Sequence, residues 1–384
     1  RGMNYYIRHT LCALLVLIAV IVSFNIWADP YNLYRFESAN AERMSRIDQG
    51  LSMRLSKPWQ VRQLRPDTAL IGSSRSGSIK PQHQRWGDMR SFNLSMAGLT
   101  LYEMLRTIQH AQANGPLNEL IIGLDYETFI SGDYQVGLGF SENRLAGNDH
   151  PGFYRQALRD FLDTTFTSSA LSRSLSAITR RTPITTWYYP DGSWDNRSRA
   201  WRGEAGYVSV GRNMRRLAAG DSETFAANMA FFSGILDFCH QQGIAVTLFI
   251  SPEHIFLTDL RNSVGSSERW TLFHHELARV NEQRAAANAR PPYPLLGFND
   301  LEGIVDDPLP RGDIAPTAWF RDGIHFSNEL GSLLLNRILD DDYGRSHSLS
   351  SANMNEYLAP IEALRKSFVE SHGKDIARYQ RKIL

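Results

Sequence analysis

Ala69-Leu-Ile-Gly-Ser-Ser-Arg-Ser-Gly77 is an apolar run that stops at a glycine and opens onto two serines. A short apolar run beside a turn signal is the pattern of a strand buried on both faces. A serine on the tight turn after such a strand stands exposed above the sheet. The N–H groups of that turn point into the same space, which provides a nucleophile and part of an oxyanion hole together. The stretch is not the G-x-S-x-G elbow, because Ser76 stands at the last glycine position. Taken alone, it also fits a plain loop turn.

Outward from this stretch, the same signature recurs. Thr68–Gly72, Ser91–Leu94, Leu120–Leu124, Ala245–Ile250 and Leu295–Phe298 read as five buried strands. Between them, apolar residues spaced by three and four predict helices over Leu101–Ala113, Phe225–Cys239 and Leu272–Val280. A further helix follows Ser327, a good N-cap, through Leu330, Leu334 and Ile338. Strands alternating with helices predict an α/β fold, with a parallel sheet and helices on both of its faces. In such sheets the reactive groups gather beyond the carboxyl ends of the strands.

A second motif sits just before the last of these helices, Trp319-Phe-Arg-Asp-Gly-Ile-His-Phe-Ser327. Asp322 and His325 are three apart, so a turn can set the carboxylate against one imidazole nitrogen and leave the other to face a serine. An Asp capping a turn beside a locally satisfied His has the same spacing.

Together the two motifs resemble the SGNH/GDSL hydrolase superfamily, from about Pro66 to Leu339. Gly72-Ser73-Ser74 matches the first block of that family, with Ser73 in place of an acid and Ser74 at the nucleophile position. Asn93-Leu-Ser-Met-Ala-Gly98 is similar to the second block, and Gly123-Leu-Asp125 falls where Gly-x-Asn is expected. Asp322 and His325 fit the last block. The resemblance implies a flavodoxin-like three-layer fold, a catalytic set of Ser74, Asp322 and His325, and an oxyanion hole drawn from Ser74, Gly98 and Asp125. Asp125 departs from the pattern, since an Asn would donate to an oxyanion and an ionised Asp cannot. Either Asp125 is protonated or turned away, or the hole relies on the Ser74 and Gly98 N–H groups.

The N-terminal stretch narrows the resemblance. Leu11 to Ala28 is 18 residues long with only Ser23 and Asn25 clearly polar, just long enough to span a bilayer. Arg8 and His9 precede it and no acid appears before Asp29, so the charge bias puts the remainder of the chain outside the cytoplasm. Tyr5, Tyr6, Trp27, Tyr31 and Tyr34 suit interfacial anchors. A cleaved signal peptide is the competing reading, although Ile26 and Trp27 are poor neighbours for a cleavage site at Ala28.

With Asp29-Pro-Tyr-Asn and Leu124-Asp-Tyr-Glu-Thr-Phe129, the chain resembles extracytoplasmic proteins of cell-surface acylation systems. Examples are the teichoic-acid D-alanylation protein and the SGNH partners of membrane-bound O-acyltransferases that acetylate exopolysaccharides. The resemblance implies acyl transfer to a polysaccharide acceptor at the bacterial cytoplasmic membrane, with acyl groups supplied by a multi-spanning partner and no cofactor. An esterase with the same triad and a non-catalytic scaffold of a polysaccharide-export complex are the competing readings.

The expected organisation is an anchor at 1–28, a juxtamembrane linker at 29–60 and a catalytic domain at 61–350. An insertion at about 131–221 would cap the active-site edge, and 351–384 would form a helical extension. Formal charge is +1, with no concentrated basic stripe, which argues against a nucleic-acid partner. The 2 cysteines, Cys12 and Cys239, lie far apart and exclude a disulfide framework. The 11% aromatic share suits a glycan- or membrane-facing surface, or simply a large core with aromatics at its rim. Arg75, next to the nucleophile, and His254 in Ser251-Pro-Glu-His254 are candidate substrate contacts; a surface role or local pairing is the alternative for Arg75, and an ordinary loop histidine the alternative for His254. His274-His275-Glu276 is a poor metal motif, because adjacent helical residues point apart; no metal is expected.

Overall fold

The computed structural model describes residues 2–34, 46–50, 52–131, 136–145, 152–180, 186–196, 203–218, 222–312 and 317–384. Parts of the expected linker and insertion lie outside the described residues.

From the N-terminal side the elements are α1 (Gly2–Ala28), α2 (Met53–Leu64), β1 (Thr68–Ile71), β2 (Ser91–Asn93), α3 (Leu101–Asn114), β3 (Glu119–Leu124) and α4 (Tyr126–Ile130). The middle of the chain adds α5 (Gly152–Thr165), α6 (Ser168–Thr179), the hairpin strands β4 (Thr186–Tyr188) and β5 (Trp194–Asn196), and α7 (Glu204–Leu217). Then come α8 (Ser222–Gln242), β6 (Ala245–Ile250), α9 (Ile255–Ser263), α10 (Ser267–Ala287), β7 (Leu295–Gly297), α11 (Asn328–Ile338), α12 (Asp341–Ser346) and α13 (Met354–Ile383).

The five expected strands form one parallel sheet in the order β2-β1-β3-β6-β7. Numbered along the chain, that order is 2-1-3-4-5, the doubly wound order with its reversal between β1 and β3. Every residue of β1 is buried, as are Leu120 to Leu124 of β3, so both faces are covered. This explains why these strands read as unbroken apolar runs and not as alternation.

Local signals set the helix starts. Thr100 and Glu103 form a reciprocal capping box at α3, and the Ser327 hydroxyl accepts from the Leu330 N–H to cap α11. Helices α2, α3, α8 and α10 pack side by side in sequence, while α11 packs against the turn at Ser76–Ser78.

Two boundaries differ from expectation. Helix α2 begins inside the expected linker and packs on α3, because Met53 and Val61 are buried in the main core. The C-terminal segment is helical, yet it is no appendage. Tyr357, Ile361, Phe368, Ile376 and Tyr379 of α13 are core residues, and the helix packs on α7, α9 and α10. Helix α1 is long and apolar enough to cross a membrane.

Candidate active site

The register aligns Ile71 with Ile122 and Leu124 with Ile250, so the segments after β1, β2, β3 and β6 leave the sheet at one edge. The Leu94 N–H donates to Leu70 O at 2.7 Å and the Met96 N–H to Gly72 O at 3.3 Å, which runs the loop after β2 beside the Ser73–Ser74 turn. Asn93 ties the two together. Its Nδ2 donates to Ser76 O and Ile79 O at 2.9 and 2.8 Å, and its Oδ1 accepts from the Ser95 N–H.

Ser74 Oγ lies 2.8 Å from His325 Nε2, and His325 Nδ1 lies 2.7 Å from Asp322 Oδ2. The second Asp322 oxygen accepts from the His325 and Ile324 N–H groups at 2.9 and 3.2 Å. Burial pushes the Asp322 carboxyl up, but the His325 ring and these hydrogen bonds outweigh it and hold the group below its ordinary 3.8. An ionised Asp322 makes Nδ1 the protonated nitrogen and leaves Nε2 as the acceptor facing Ser74, the state a general base requires. The imidazole is 31% exposed and its carboxylate partner 3%, so the relay is dry at one end and open at the other.

Gly98 is exposed and has φ +60°, a left-handed conformation that a side chain would strain. Arg54 donates to the Ala97 and Gly98 carbonyls at 3.1 and 3.0 Å and pairs bidentately with the buried Glu103. Those bonds turn the carbonyls toward Arg54. Among the described residues neither the Ser74 N–H nor the Gly98 N–H donates to a partner.

Asp125 points elsewhere. It accepts a hydrogen bond from the Ser73 hydroxyl and sits 3.8 Å from Arg75 Nε. Arg75 is buried and pairs with Glu127 and Glu253, and Arg261 pairs with the same two glutamates. Two guanidiniums and three carboxylates thus form a largely buried cluster behind the Ser73–Ser74 turn. The attraction of Arg75 and Arg261 outweighs the burial of Glu127 and holds its carboxyl low.

Arg75 therefore has its charge engaged inside the protein. His254 is also fully buried, among the rings of Tyr207, Phe320 and Phe368. Its Nδ1 accepts from the Phe256 N–H, its Nε2 donates to Asp307 O, and burial pushes the ring down to about 4. The His254 backbone N–H donates to Gly323 O at 2.7 Å, so this residue braces the loop that carries Asp322 and His325. Ser74, Asp322 and His325 come together; Arg75, Asp125 and His254 belong to the supporting structure.

Two supports were not named by the sequence, although the second lies within the insertion expected at the active-site edge. Lys57, inside the expected linker, is buried and donates to the carbonyls of Asn93, Ser95 and Gly192 at 2.6, 2.6 and 2.9 Å. Three acceptors match the three donors of an ammonium, although burial pushes the amine down to about 7. The β4–β5 hairpin supplies Trp194, which lies against Gly77 so closely that a side chain there would collide with it. Asp195 of the same hairpin pairs with Arg321, beside Asp322. The hairpin thus joins the turn after β1 to the Asp–His loop. Beside that loop opens a cleft of about 530 Å³, lined by Lys80, Tyr189, Asp195, Phe320, Arg321 and Asn328.

No protein-family model matches the chain, and no curated protein matches it. Among the described residues no group of three or more His, Cys, Asp or Glu side chains is placed to hold a metal ion.

Proposed function

We propose that the chain is an SGNH-type serine O-acyltransferase that modifies a polysaccharide outside the cytoplasmic membrane. The observation that carries this reading is the continuous relay from Ser74 through His325 to Asp322 at the carboxyl edge of a 2-1-3-4-5 sheet.

The chemistry follows from the relay. Ser74 Oγ attacks the acyl carbon as its proton passes to His325 Nε2, and Asp322 stabilises the imidazolium. The free N–H groups of Ser74 and Gly98 receive the oxyanion. The tetrahedral adduct breaks its bond to the leaving oxygen, which takes the proton from Nε2, and acyl-Ser74 remains. An acceptor hydroxyl then gives its proton to Nε2 and attacks the acyl carbon; collapse returns the proton to Ser74 Oγ. Asp125, held by Ser73, stays out of this sequence.

Transfer is preferred to hydrolysis because of helix α1, which would keep the site at a membrane where a multi-spanning partner can deliver acyl groups. The polar wall of the cleft beside the Asp–His loop also suits a hydroxyl-bearing acceptor. The test uses the full chain in detergent with p-nitrophenyl acetate and an oligosaccharide, followed by mass spectrometry. Acylated sugar formed in parallel with slow hydrolysis supports transfer. Rapid deacetylation of a polysaccharide with no transfer at any acceptor concentration makes it an esterase. Folded protein with no turnover and no labelling by a fluorophosphonate makes it a scaffold.

A further inference from the structure

Helix α1 is exposed from Met3 to Leu17 and loses solvent contact only further on, at Ile18, Ile21, Val22, Phe24, Asn25, Ile26 and Ala28. The elements packed on it there are α5 and α6. Asn25 Nδ2 donates to Thr165 O at the end of α5 at 2.8 Å, an interhelical bond of the kind that ties helices together in lipid.

This packing fixes a depth. At 1.5 Å per residue, Ile18 lies about 15 Å along α1 from Ala28. The hydrocarbon core of a bilayer is about 30 Å thick. Exposed Trp27 and Tyr34, with Asp29 between them, mark the interface at this end. If α1 spans the membrane, helices that pack along it as far as Ile18 cannot remain wholly in water.

The side chains agree with that placement. On α5 and just after it, Tyr154, Leu158, Phe161, Leu162 and Phe166 are all exposed. Their spacing gives one apolar stripe. Leu175 and Ile178 continue the exposed apolar surface on α6. Arg155, Arg159 and Asp163 form a separate polar edge of α5, with Arg159 and Asp163 paired. Single exposed apolar residues are ordinary, but a contiguous stripe beside a membrane-spanning helix is not.

The pair is also anchored to the catalytic domain. Asp160 of α5 is buried, pairs bidentately with Arg144 at 2.7 and 2.8 Å, and accepts from Trp59 Nε1 at 3.0 Å. Ala170 of α6 packs with Tyr31, Leu33, Leu55 and Trp59 in a second, smaller core.

We propose that α5 and α6 form a second membrane-contacting element that embeds its exposed apolar face in the leaflet reached by the C-terminal end of α1. The occupant of this face is lipid, and the proposal rests on α1 spanning the membrane. An interfacial helix of this type buries its apolar face about 5–10 Å into the headgroup and acyl boundary. With α1 alone the catalytic domain would pivot on one helix; with α5 and α6 embedded it takes one orientation toward the membrane.

The test uses the full chain with Cys12→Ser, which leaves only the buried Cys239. Single cysteines are introduced as Leu158→Cys, Leu162→Cys and Leu175→Cys, with Leu17→Cys in α1 and Arg155→Cys on the polar edge as references. Each is spin-labelled and reconstituted into vesicles of phosphatidylcholine and phosphatidylglycerol. Collision with oxygen, which concentrates in lipid, is compared with collision with a water-soluble nickel chelate. The expected result is an oxygen-to-nickel ratio at the three α5–α6 positions that approaches that of Leu17→Cys and exceeds that of Arg155→Cys several-fold. A lipid-like Leu17→Cys with water-like α5–α6 positions overturns the proposal and leaves the anchor standing. Water-like values at Leu17→Cys as well remove the anchor and the proposal together. In native membranes a benzophenone side chain at Leu158 should cross-link to lipid. A discrete protein adduct there instead overturns the proposal in favour of a protein-covered face.

Discussion

Ser73 and Ser74 share one turn and one side-chain type, and their hydroxyls face partners of different chemistry. Ser74 meets a half-open imidazole whose free nitrogen can take a proton. Ser73 donates to Asp125, a member of a buried cluster whose other charges are already paired. One serine therefore has a base and the other has only an acceptor that holds it still. On the proposed function, nucleophilicity is a property of the environment, which separates two adjacent residues of one type into a reacting group and a brace.

The most direct attack on this contrast is Ser74→Ala. It should abolish fluorophosphonate labelling and reduce acyl-ester turnover by about 10⁶, the scale on which a triad acts as a unit. Residual labelling at the parent rate would mean that another residue is the nucleophile. Asp322→Asn should cost about 10⁴ in turnover, because the amide favours the wrong imidazole tautomer. Its effect on stability has a defined sign. Asp322 ionises below 3.8 in the folded chain, so the stabilisation from its ionised form is present above that pH and lost as the pH falls through the folded value. Denaturant unfolding should thus show a gap between parent and Asp322→Asn that is constant near neutrality and closes below about pH 3.8. A gap that stays open in stronger acid would mean that the carboxylate charge contributes nothing.

Arg261→Met strikes the other side of the comparison. It leaves Glu253 and Glu127 facing one guanidinium, Arg75, in a buried setting. Removing one partner of a buried pair costs about 3–5 kcal/mol. The loss should appear in urea unfolding, while the fraction of protein still folded labels at Ser74 at close to the parent rate. Full stability with lost labelling would place the cluster in the proton relay and erase the distinction.

The two regions also differ in how legible they are in the chain. The five strands could be placed within a residue or two, because a strand buried on both faces leaves an apolar run that no neighbour is needed to interpret. Asp322 and His325 were legible because three residues and a turn bring them together, and Ser74 because a strand end exposes it. Even so, Ser74 and His325 are 251 residues apart, and only the resemblance joined them. The cluster left no such trace. Glu127, Glu253 and Arg261 follow no spacing, and the sequence carries no mark that a charged residue is buried, so Arg75 read as a candidate substrate contact as readily as a surface residue or a local partner. Lys57 read as part of a linker for the same reason: its partners are backbone carbonyls, which every residue has. Helix α13 showed helical character but not its place in the core, since an amphipathic pattern does not name the surface it packs on.

The smallest expected effect is the sharpest. Ser73→Ala removes one hydroxyl that donates to Asp125 and accepts from the Arg75 N–H at 3.3 Å. The Asp125 Oδ1 atom is already buried without a hydrogen-bond donor, so the variant leaves both carboxylate oxygens without one. A hydrogen bond to a charged group is worth about 1.5–3 kcal/mol, and the melting transition should fall accordingly. The proton relay is untouched, and only the aim of Ser74 loosens. Labelling of Ser74 should therefore persist, slowed by about tenfold if the turn loses about 1.4 kcal/mol of alignment. Asp125→Asn removes a charge from the same contact, so the two substitutions should be coupled, their combined effect smaller than the sum. Additive effects would mean that Ser73 and Asp125 act separately. Loss of labelling in Ser73→Ala with retention in Ser74→Ala would invert the comparison, making Ser73 the nucleophile and Ser74 the brace.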